Sequence, residues 1–322
     1  MSRFRGFRVM STSVRSRLIA AGLVAATLAA PLAAALAPQA AQAFGTVRKL
    51  GQNAEHERIT RRALEPAGFE RLTLNQLAGT SLMVGAGSFG AVGAPDRPFR
   101  GLISVTEAHC DDGDWFDARD YAQGRDKASD ALRACRALMH RNLDEALRRA
   151  GDLVAADLSL GETAMGSSCA FDEDASDTPK CRVLEYFGLA LHAAQDFYSH
   201  TNWVDAPRAS PTIKNPPGLN HDAPAEWLGP ARPAEFPAGL ISGCYGFPEW
   251  ASCGGRIKHD YLNKDTVHTG RGGYEKAMAV AAADTRQKWD EFSDRVRRQY
   301  GEARGSKILC VIKTDEPRKA CA

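Results

Sequence analysis

The sequence predicts an all-α fold: a multi-helix bundle, interrupted by long irregular loops and closed by local disulfides. Three observations predict it. Apolar residues recur three and four apart through four segments, the spacing that builds one face of a helix. Strand-like alternation is scarce, and no segment repeats. The eight cysteines, an even number, suit an exported domain held by four bridges.

Residues 1–43 read as a leader rather than as part of the fold. Arg3, Arg5, Arg8, Arg15 and Arg17 come before any acid, and residues 18–37 are apolar, rich in Ala and Leu, with one break at Pro31. Ala41-Gln42-Ala43 then has the small-x-small form of a signal-peptide cleavage site. The alternative is a membrane anchor, since the apolar run is nearly long enough to span a bilayer. No later run approaches that length, so residues 44–322 are expected to form one soluble α-helical metal-binding domain, secreted or periplasmic. Loss of the leader removes five arginines and no acid, which takes the formal charge from +2 to about −3. That balance speaks against a general nucleic-acid-binding surface.

Helices are expected over residues 54–64, 118–153, 181–199 and 273–300. The second is strongly charged, with Ala and Leu at helical spacing. The last ends in basic residues, which suit the carboxyl end of a helix. Two stretches are expected to be irregular. Residues 79–93 are rich in Gly and Ser and run into Ala94-Pro95-Asp96-Arg97-Pro98. Residues 205–248 hold nine of the sixteen prolines and form a long excursion, either a lid or binding loop or a surface insertion. Spacing pairs Cys169 with Cys181, Cys244 with Cys253 and Cys310 with Cys321, leaving Cys110 with Cys135. Metal binding by cysteine is disfavoured, because no C-x-x-C pair occurs.

The chemistry concentrates in His192-Ala-Ala-Gln195-Asp196-Phe-Tyr-Ser-His200. On a helix, residues four and eight apart fall within a stripe of about 80°. His192, Asp196 and His200 therefore share a face, among the apolar Leu184, Phe187, Leu189, Leu191 and Phe197. An unpaired carboxylate there would cost several kcal/mol or take up a proton. A divalent cation resolves this, and neutral imidazole with carboxylate is a preferred zinc donor set. The alternative is a polar seam in which the histidines bond only to Asp196. Further candidate ligands are His56, Asp96, His109 and His259, with His268 behind them. His140 reads as a surface histidine and His221 is ambiguous. The acidic run 111–114 is either a solvated loop or a calcium site, although it lacks the EF-hand spacing.

The run Phe187-Gly-Leu-Ala-Leu-His192-Ala-Ala-Gln-Asp196-Phe-Tyr-Ser-His200-Thr-Asn-Trp203 resembles the signature of heterokaryon-incompatibility C (Het-C)-type proteins. More distantly it is similar to zinc-dependent bacterial phospholipases C and to the single-strand-specific zinc nucleases of fungi and plants. Phe44-Gly45 resembles the start of processed Het-C-type chains, and Leu262-Asn263-Lys264-Asp265-Thr266 a late element of that family. The resemblance implies an all-α bundle of the zinc phospholipase C type with two or three zinc ions. It implies one ion on the main chain of Phe44 with His56 and Asp196, and a second on His109, His192 and Asp196 with Asp96 nearby. Asp196 would bridge them. A third would start at His200. The phospholipases complete that site with H-x-x-x-E, whereas His221-Asp-Ala-Pro-Ala-Glu226 is one residue too long and contains proline, so His259 is the preferred partner.

These expectations favour metal-assisted phosphodiester hydrolysis of phospholipid headgroups. Asp96 is the candidate for orienting or deprotonating the attacking water, or else a turn aspartate before Arg97-Pro98. Trp227, Phe236, Phe247 and Trp250 are candidates for peripheral membrane contact, with core packing as the alternative. A single-strand nuclease is disfavoured by the charge. A Het-C-like interaction or toxin-like protein with structural zinc is the third reading.

Overall fold

One helix carries the ligand-type stripe, and the other long helices are packed so that this helix is buried. The computed structural model describes residues 44–46, 48, 52–80, 89–97, 101–161, 169, 171, 178–230, 235–246 and 249–322. The expected leader, residues 1–43, lies outside them. In chain order the helices are α1 (Glu55–Leu64), α2 (Arg71–Ala78), α3 (Arg125–Ala150), α4 (Pro179–His200), α5 (Glu249–Ser252), α6 (Tyr274–Tyr300), α7 (Glu302–Lys313) and α8 (Pro317–Ala320), joined by short 3-10 turns. Among the described residues no strand forms, only isolated bridges such as Thr201 with Ser242. The all-α expectation therefore holds at the level of fold class.

Helix α4 starts with Pro179 in its first turn, where the missing N–H costs nothing. From residue 190 to residue 200 every side chain is buried, polar ones included. Helix α3 lies along it, and α6 packs against α1, α4 and α7. Phe187 meets Trp289 and Phe292 of α6 with ring centroids 5.8 and 5.2 Å apart, and Trp289 meets Phe69 at 4.6 Å. These aromatic contacts, with Leu132, Met139 and Leu143 from α3, form the apolar core that excludes water from α4.

Three helices follow the sequence closely and one does not. α1, α4 and α6 lie within two residues of expectation. The helix expected over residues 118–153 begins only at Arg125. Residues 118–124 are drawn instead to the acidic loop before them: the Tyr121 hydroxyl donates to Asp114 Oδ2 at 2.5 Å, and Gln123 Nε2 donates to the Asp112 carbonyl at 2.6 Å. α2 and α7 were not expected. The first N–H groups of α2 are satisfied by the Asp315 carboxylate, which accepts from Leu72 and Thr73 at 3.0 and 2.7 Å across more than 240 residues. α7 follows α6 after the single residue Gly301, at φ 80°, so the glycine that reads as a stop is a corner between two helices.

All four expected disulfides form, Cys110–Cys135, Cys169–Cys181, Cys244–Cys253 and Cys310–Cys321. The described part of the proline-rich stretch is irregular but fixed to the body. Asn202 donates to the Pro217 and Gly239 carbonyls and accepts from the Ile241 N–H, and Arg136 of α3 holds the Trp227 and Gly229 carbonyls. Trp227 is 5% exposed, with Phe236 edge-on to it at 5.4 Å, so these two aromatics pack inward rather than forming a membrane-facing patch. Phe247 and the Trp250 side chain lie outside the described residues. No described helix is long and apolar enough to cross a membrane.

Gly188 and Gly243 allow two close approaches that place ligand-type residues. A Cβ at Gly188 would lie 2.4 Å from Ala91 Cβ and 2.9 Å from the Val92 nitrogen, and one at Gly243 would lie 2.3 Å from His259 Cα. Gly188→Ala is therefore expected to destabilise the protein by about 1–3 kcal/mol through overpacking. Denaturant unfolding of the variant against wild type measures this, and an unchanged midpoint would show that segment 91–92 is free to move away from α4.

Candidate metal centre

His192 and Asp196 lie on one face of α4 and meet residues from three other segments. His56 comes from the first turn of α1. Asp96 ends the 3-10 turn Ala94–Asp96, and His109 follows the turn Thr106–Ala108. Asp196 is at the middle. Its Oδ1 is 3.2 Å from His56 Nε2, and its Oδ2 is 3.0 Å from both His109 Nδ1 and His192 Nε2. Asp96 faces the same nitrogens from slightly farther away. Its Oδ1 is 3.8 Å from His192 Nε2 and 3.9 Å from His109 Nδ1, and its Oδ2 is 4.0 Å from His56 Nε2. None of the five is more than 5% exposed.

The nitrogens that face away from this cluster are already engaged. His192 Nδ1 lies 2.8 Å from the Val92 carbonyl and His109 Nε2 lies 3.2 Å from the Leu102 carbonyl, and each must donate there. His56 Nδ1 lies 2.7 Å from Gln195 Oε1. In its neutral form each ring therefore turns a lone pair inward, and His192 Nε2 and His109 Nδ1 face each other at 3.1 Å. Such an outer partner on a ligand-type histidine fixes its tautomer and aim. A tetrahedral ion with bonds of about 2.0–2.1 Å would hold its donors about 3.3 Å apart. The inward distances of 3.0 to 4.0 Å bracket that spacing. His56 Nε2, Asp96 Oδ2 and Asp196 Oδ1 are buried without a hydrogen-bond partner, which is costly for a polar atom unless something else binds it. The donor set fits a cation.

His200 belongs to a second cluster one turn along α4. Its Nδ1 is 2.7 Å from the His109 carbonyl, to which it donates, and 3.3 Å from Asp111 Oδ1. Its Nε2 is 3.3 Å from Asp265 Oδ1. The His259 ring stands edge-on to it with centroids 4.3 Å apart, and His259 Nε2 is 3.9 Å from Asp265 Oδ2. Asp111, His200 and His259 offer donor atoms within 4.8 Å of one another, and Asp111 Oδ1 and His200 Nε2 lack hydrogen-bond partners. The two clusters share a seam, because His109 faces the first, Asp111 faces the second, and the His109 carbonyl accepts from His200.

The charges are arranged to keep Asp196 ionised. Burial alone would raise its carboxyl, but His192, His56 and His200, with the bond from His109, hold it well below the usual range. Burial alone would lower His56, His109 and His200, yet the facing carboxylates outweigh it and hold all three above the ordinary histidine value. His192 and His259 end below that value, chiefly because burial dominates.

Most of the residues singled out in the sequence come together here, and several others do not. Phe44 is buried with its ring edge-on to His56 at 6.0 Å, and Gly45 accepts from the His56 N–H at 3.3 Å. His221 is exposed and stacks on Trp203 at 4.0 Å, and Glu226 and His268 are exposed, so none of them joins the His200 cluster. His140 is half-buried on α3 rather than a surface residue. Burial, with Arg136 and Lys288 nearby, pushes it down to about 4. Asp111 and Asp265 are the members that sequence reading missed. An acidic run does not say which member turns inward. Here positive φ at Cys110 and Asp112, 57° and 63°, points Asp111 at His200, while Asp112 and Asp114 pair with Arg256. That pairing and the Cys244–Cys253 bridge account for the nearby Asp112, Asp114 and Cys244 group without a cation. Lys264 holds the Asp265 segment against the end of α4, donating to the Thr201 and Leu262 carbonyls and pairing with Asp205 at 3.0 Å.

No family model, curated protein or solved structure matches the chain. The geometry alone carries the assignment of this centre.

Asp196→Asn is expected to lose at least one bound cation per chain, whereas His140→Ala keeps the full content. Metal analysis after dialysis decides this, and a fully loaded Asp196 variant would remove the central role of that carboxylate. A pH dependence also follows. A cation must displace protons that His56, His109 and His200 hold above the ordinary value of about 6.5. Uptake at pH 7 is therefore expected to release protons, and affinity to fall by more than about tenfold per pH unit below neutrality, where two or more rings titrate together. Calorimetry in two buffers of different ionisation heat checks it. An affinity that stays constant from pH 8 to pH 5 would take the imidazoles out of the donor set.

Proposed function

We propose that the protein is an exported zinc-dependent phosphodiesterase, with phospholipase C-like hydrolysis of phospholipid headgroups as its reaction. The observation that carries this reading is the double bridge. Asp96 and Asp196 each turn one oxygen to His56 and the other to the His109 and His192 pair. On this reading His56 and Asp196, with the main chain of Phe44, hold one zinc, and His109, His192 and Asp196 hold a second. His200, His259, Asp111 and Asp265 hold a third. Bound zinc would lower the pKa of water to about 7 and polarise a phosphoryl oxygen. Asp96, whose Oδ2 has no hydrogen-bond partner, is the group that can orient the attacking water or accept its proton. The outward carbonyls of Val92 and Leu102 keep His192 and His109 aimed through turnover.

Export is supported by four disulfides, which persist in oxidising compartments, and by the form of residues 1–43. A headgroup is favoured over single-stranded nucleic acid for two reasons. The processed chain carries about −3, and a polymer needs an open basic groove with stacking aromatics, whereas Trp227 and Phe236 are committed to packing. A second reading has its own support. With no donor of either cluster more than 5% exposed, the coordination resembles a closed structural site, which suits a non-enzymatic interaction protein.

The test is zinc content per chain, followed by hydrolysis of a chromogenic phosphocholine ester and of single-stranded DNA with and without chelator. Chelator-sensitive cleavage of the ester is expected, with Asp96→Asn lowering turnover about 10²–10⁴-fold. Bound zinc with neither substrate cleaved would leave the structural reading, and a chain that binds no zinc would end both.

A further inference from the structure

We propose that Gln195 is a positioning residue that fixes the tautomer of His56 and so makes the His56 half of the centre able to accept a cation. Three of the five ligand-type rings, His192, His109 and His200, are aimed by main-chain carbonyls, those of Val92, Leu102 and His109, which no side-chain substitution removes. In the first cluster His56 depends instead on a side chain, with Nδ1 2.7 Å from Gln195 Oε1.

The orientation of that amide is set by two further partners. Gln195 Nε2 lies 3.0 Å from Thr60 Oγ1 and 3.1 Å from Thr285 Oγ1, both fully buried. With its two N–H bonds given to the two hydroxyls, the group left facing His56 is the oxygen. An amide oxygen only accepts, so His56 Nδ1 carries the proton and donates. His56 Nε2 is then a bare lone pair, 3.2 Å from Asp196 Oδ1 and 4.0 Å from Asp96 Oδ2. In the opposite tautomer an N–H would point at those carboxylates and occupy the position a cation needs, while Oε1 would face a second lone pair. Neighbouring residues thus face both nitrogens of one ring, Gln195 bonded to Nδ1 and Asp196 lying across from the lone pair of Nε2. Thr60 is one turn beyond His56 on α1 and Thr285 is on α6, so the Gln195 amide ties α1, α4 and α6 together at the centre. An outer partner of this kind typically changes metal affinity 10–100-fold.

The experiment has two arms, of which only the second rests on the cation reading. In the first, long-range proton–nitrogen correlation spectra are recorded on chelator-treated, ¹⁵N-labelled full-length protein at alkaline pH, where His56, held above the ordinary histidine value, is neutral. Wild type and Gln195→Glu, which keeps an acceptor facing His56, are expected to show the proton on Nδ1. Gln195→Met, similar in shape but without an acceptor, is expected to shift to the other tautomer or to a mixture. A proton on Nε2 in wild type, or an unchanged Nδ1 proton in the Met variant, overturns the proposal. In the second arm zinc is titrated into each protein. The Met variant is expected to bind one equivalent about 10–100-fold more weakly with the others unchanged, and the Glu variant to restore it. Equal affinity in all three proteins overturns the role toward metal. A wild type that takes no zinc sinks the proposed function instead, and the tautomer arm then decides the role of Gln195.

Discussion

A carboxylate enclosed by a helix bundle is the constraint on which the rest of this structure depends. Asp196 is fully buried on α4, with Phe197 beside it and Phe187, Leu191 and Ala193 along the same helix. Leaving it ionised and alone would cost several kcal/mol, a large part of the stability of an ordinary domain. The structure answers by bringing three imidazoles to its two oxygens from α1, α4 and the turn before Cys110. Those imidazoles are then constrained in turn, since a ring that faces a carboxylate must place its other nitrogen somewhere. The Val92 and Leu102 carbonyls and the Gln195 amide receive them. One buried charge thus fixes the packing of segments that begin over a hundred residues apart.

The two clusters are mechanically joined. Residues 109–111 contribute to both, and Cys110 between them is bridged to Cys135 on α3, the helix that lies along α4. The Cys244–Cys253 bridge steadies the other side, because Cys244 exchanges main-chain bonds with Ile257 and His259. The Lys264, Asp205 and Arg271 network ties the Asp265 segment to the region just beyond α4, with Arg271 2.7 Å from Asp205. Disulfides and buried ion pairs are thus placed where irregular backbone carries donor groups. Loops have little secondary structure to hold them, so cross-links and charge pairs take that part.

The long charged faces of α3 and α6 do a different job. Arg148 and Arg149 pair with Glu145, and Arg286 pairs with Asp290, all on exposed or half-exposed surface where such pairs contribute little. Their apolar faces supply the core that shields α4. The metal-type chemistry and the bulk of the stability therefore come from different residues. This is why Gly188, which touches no ligand side chain, still matters: it sets the distance between α4 and the Val92 carbonyl that aims His192.

The sequence by itself determined the helix class, the ligand stripe and the four disulfides. Each of these depends on residue type and short spacing: a 3.6-residue period places His192, Asp196 and His200 on one face, and neighbouring cysteines close short loops. His56, Asp96, His109 and His259 were also legible as ligand types, although their convergence was legible only through the family resemblance and not from their spacing. Only the tertiary structure decided the rest. It selected Asp111 and Asp265 over His221, Glu226 and His268, because backbone turns at Cys110 and Asp112 and the buried Lys264 aim those acids inward. It formed α2, whose first N–H groups depend on Asp315 at the far end of the chain. It started the charged helix late, at Arg125, because Tyr121 and Gln123 bond to the acidic loop. It turned Trp227 and Phe236 into packing residues. The partners of α2 and of the inward acids are distant along the chain, and Tyr121 and Gln123 meet acids 7 and 11 residues away through side-chain bonds; neither kind of interaction leaves a helical period in the sequence.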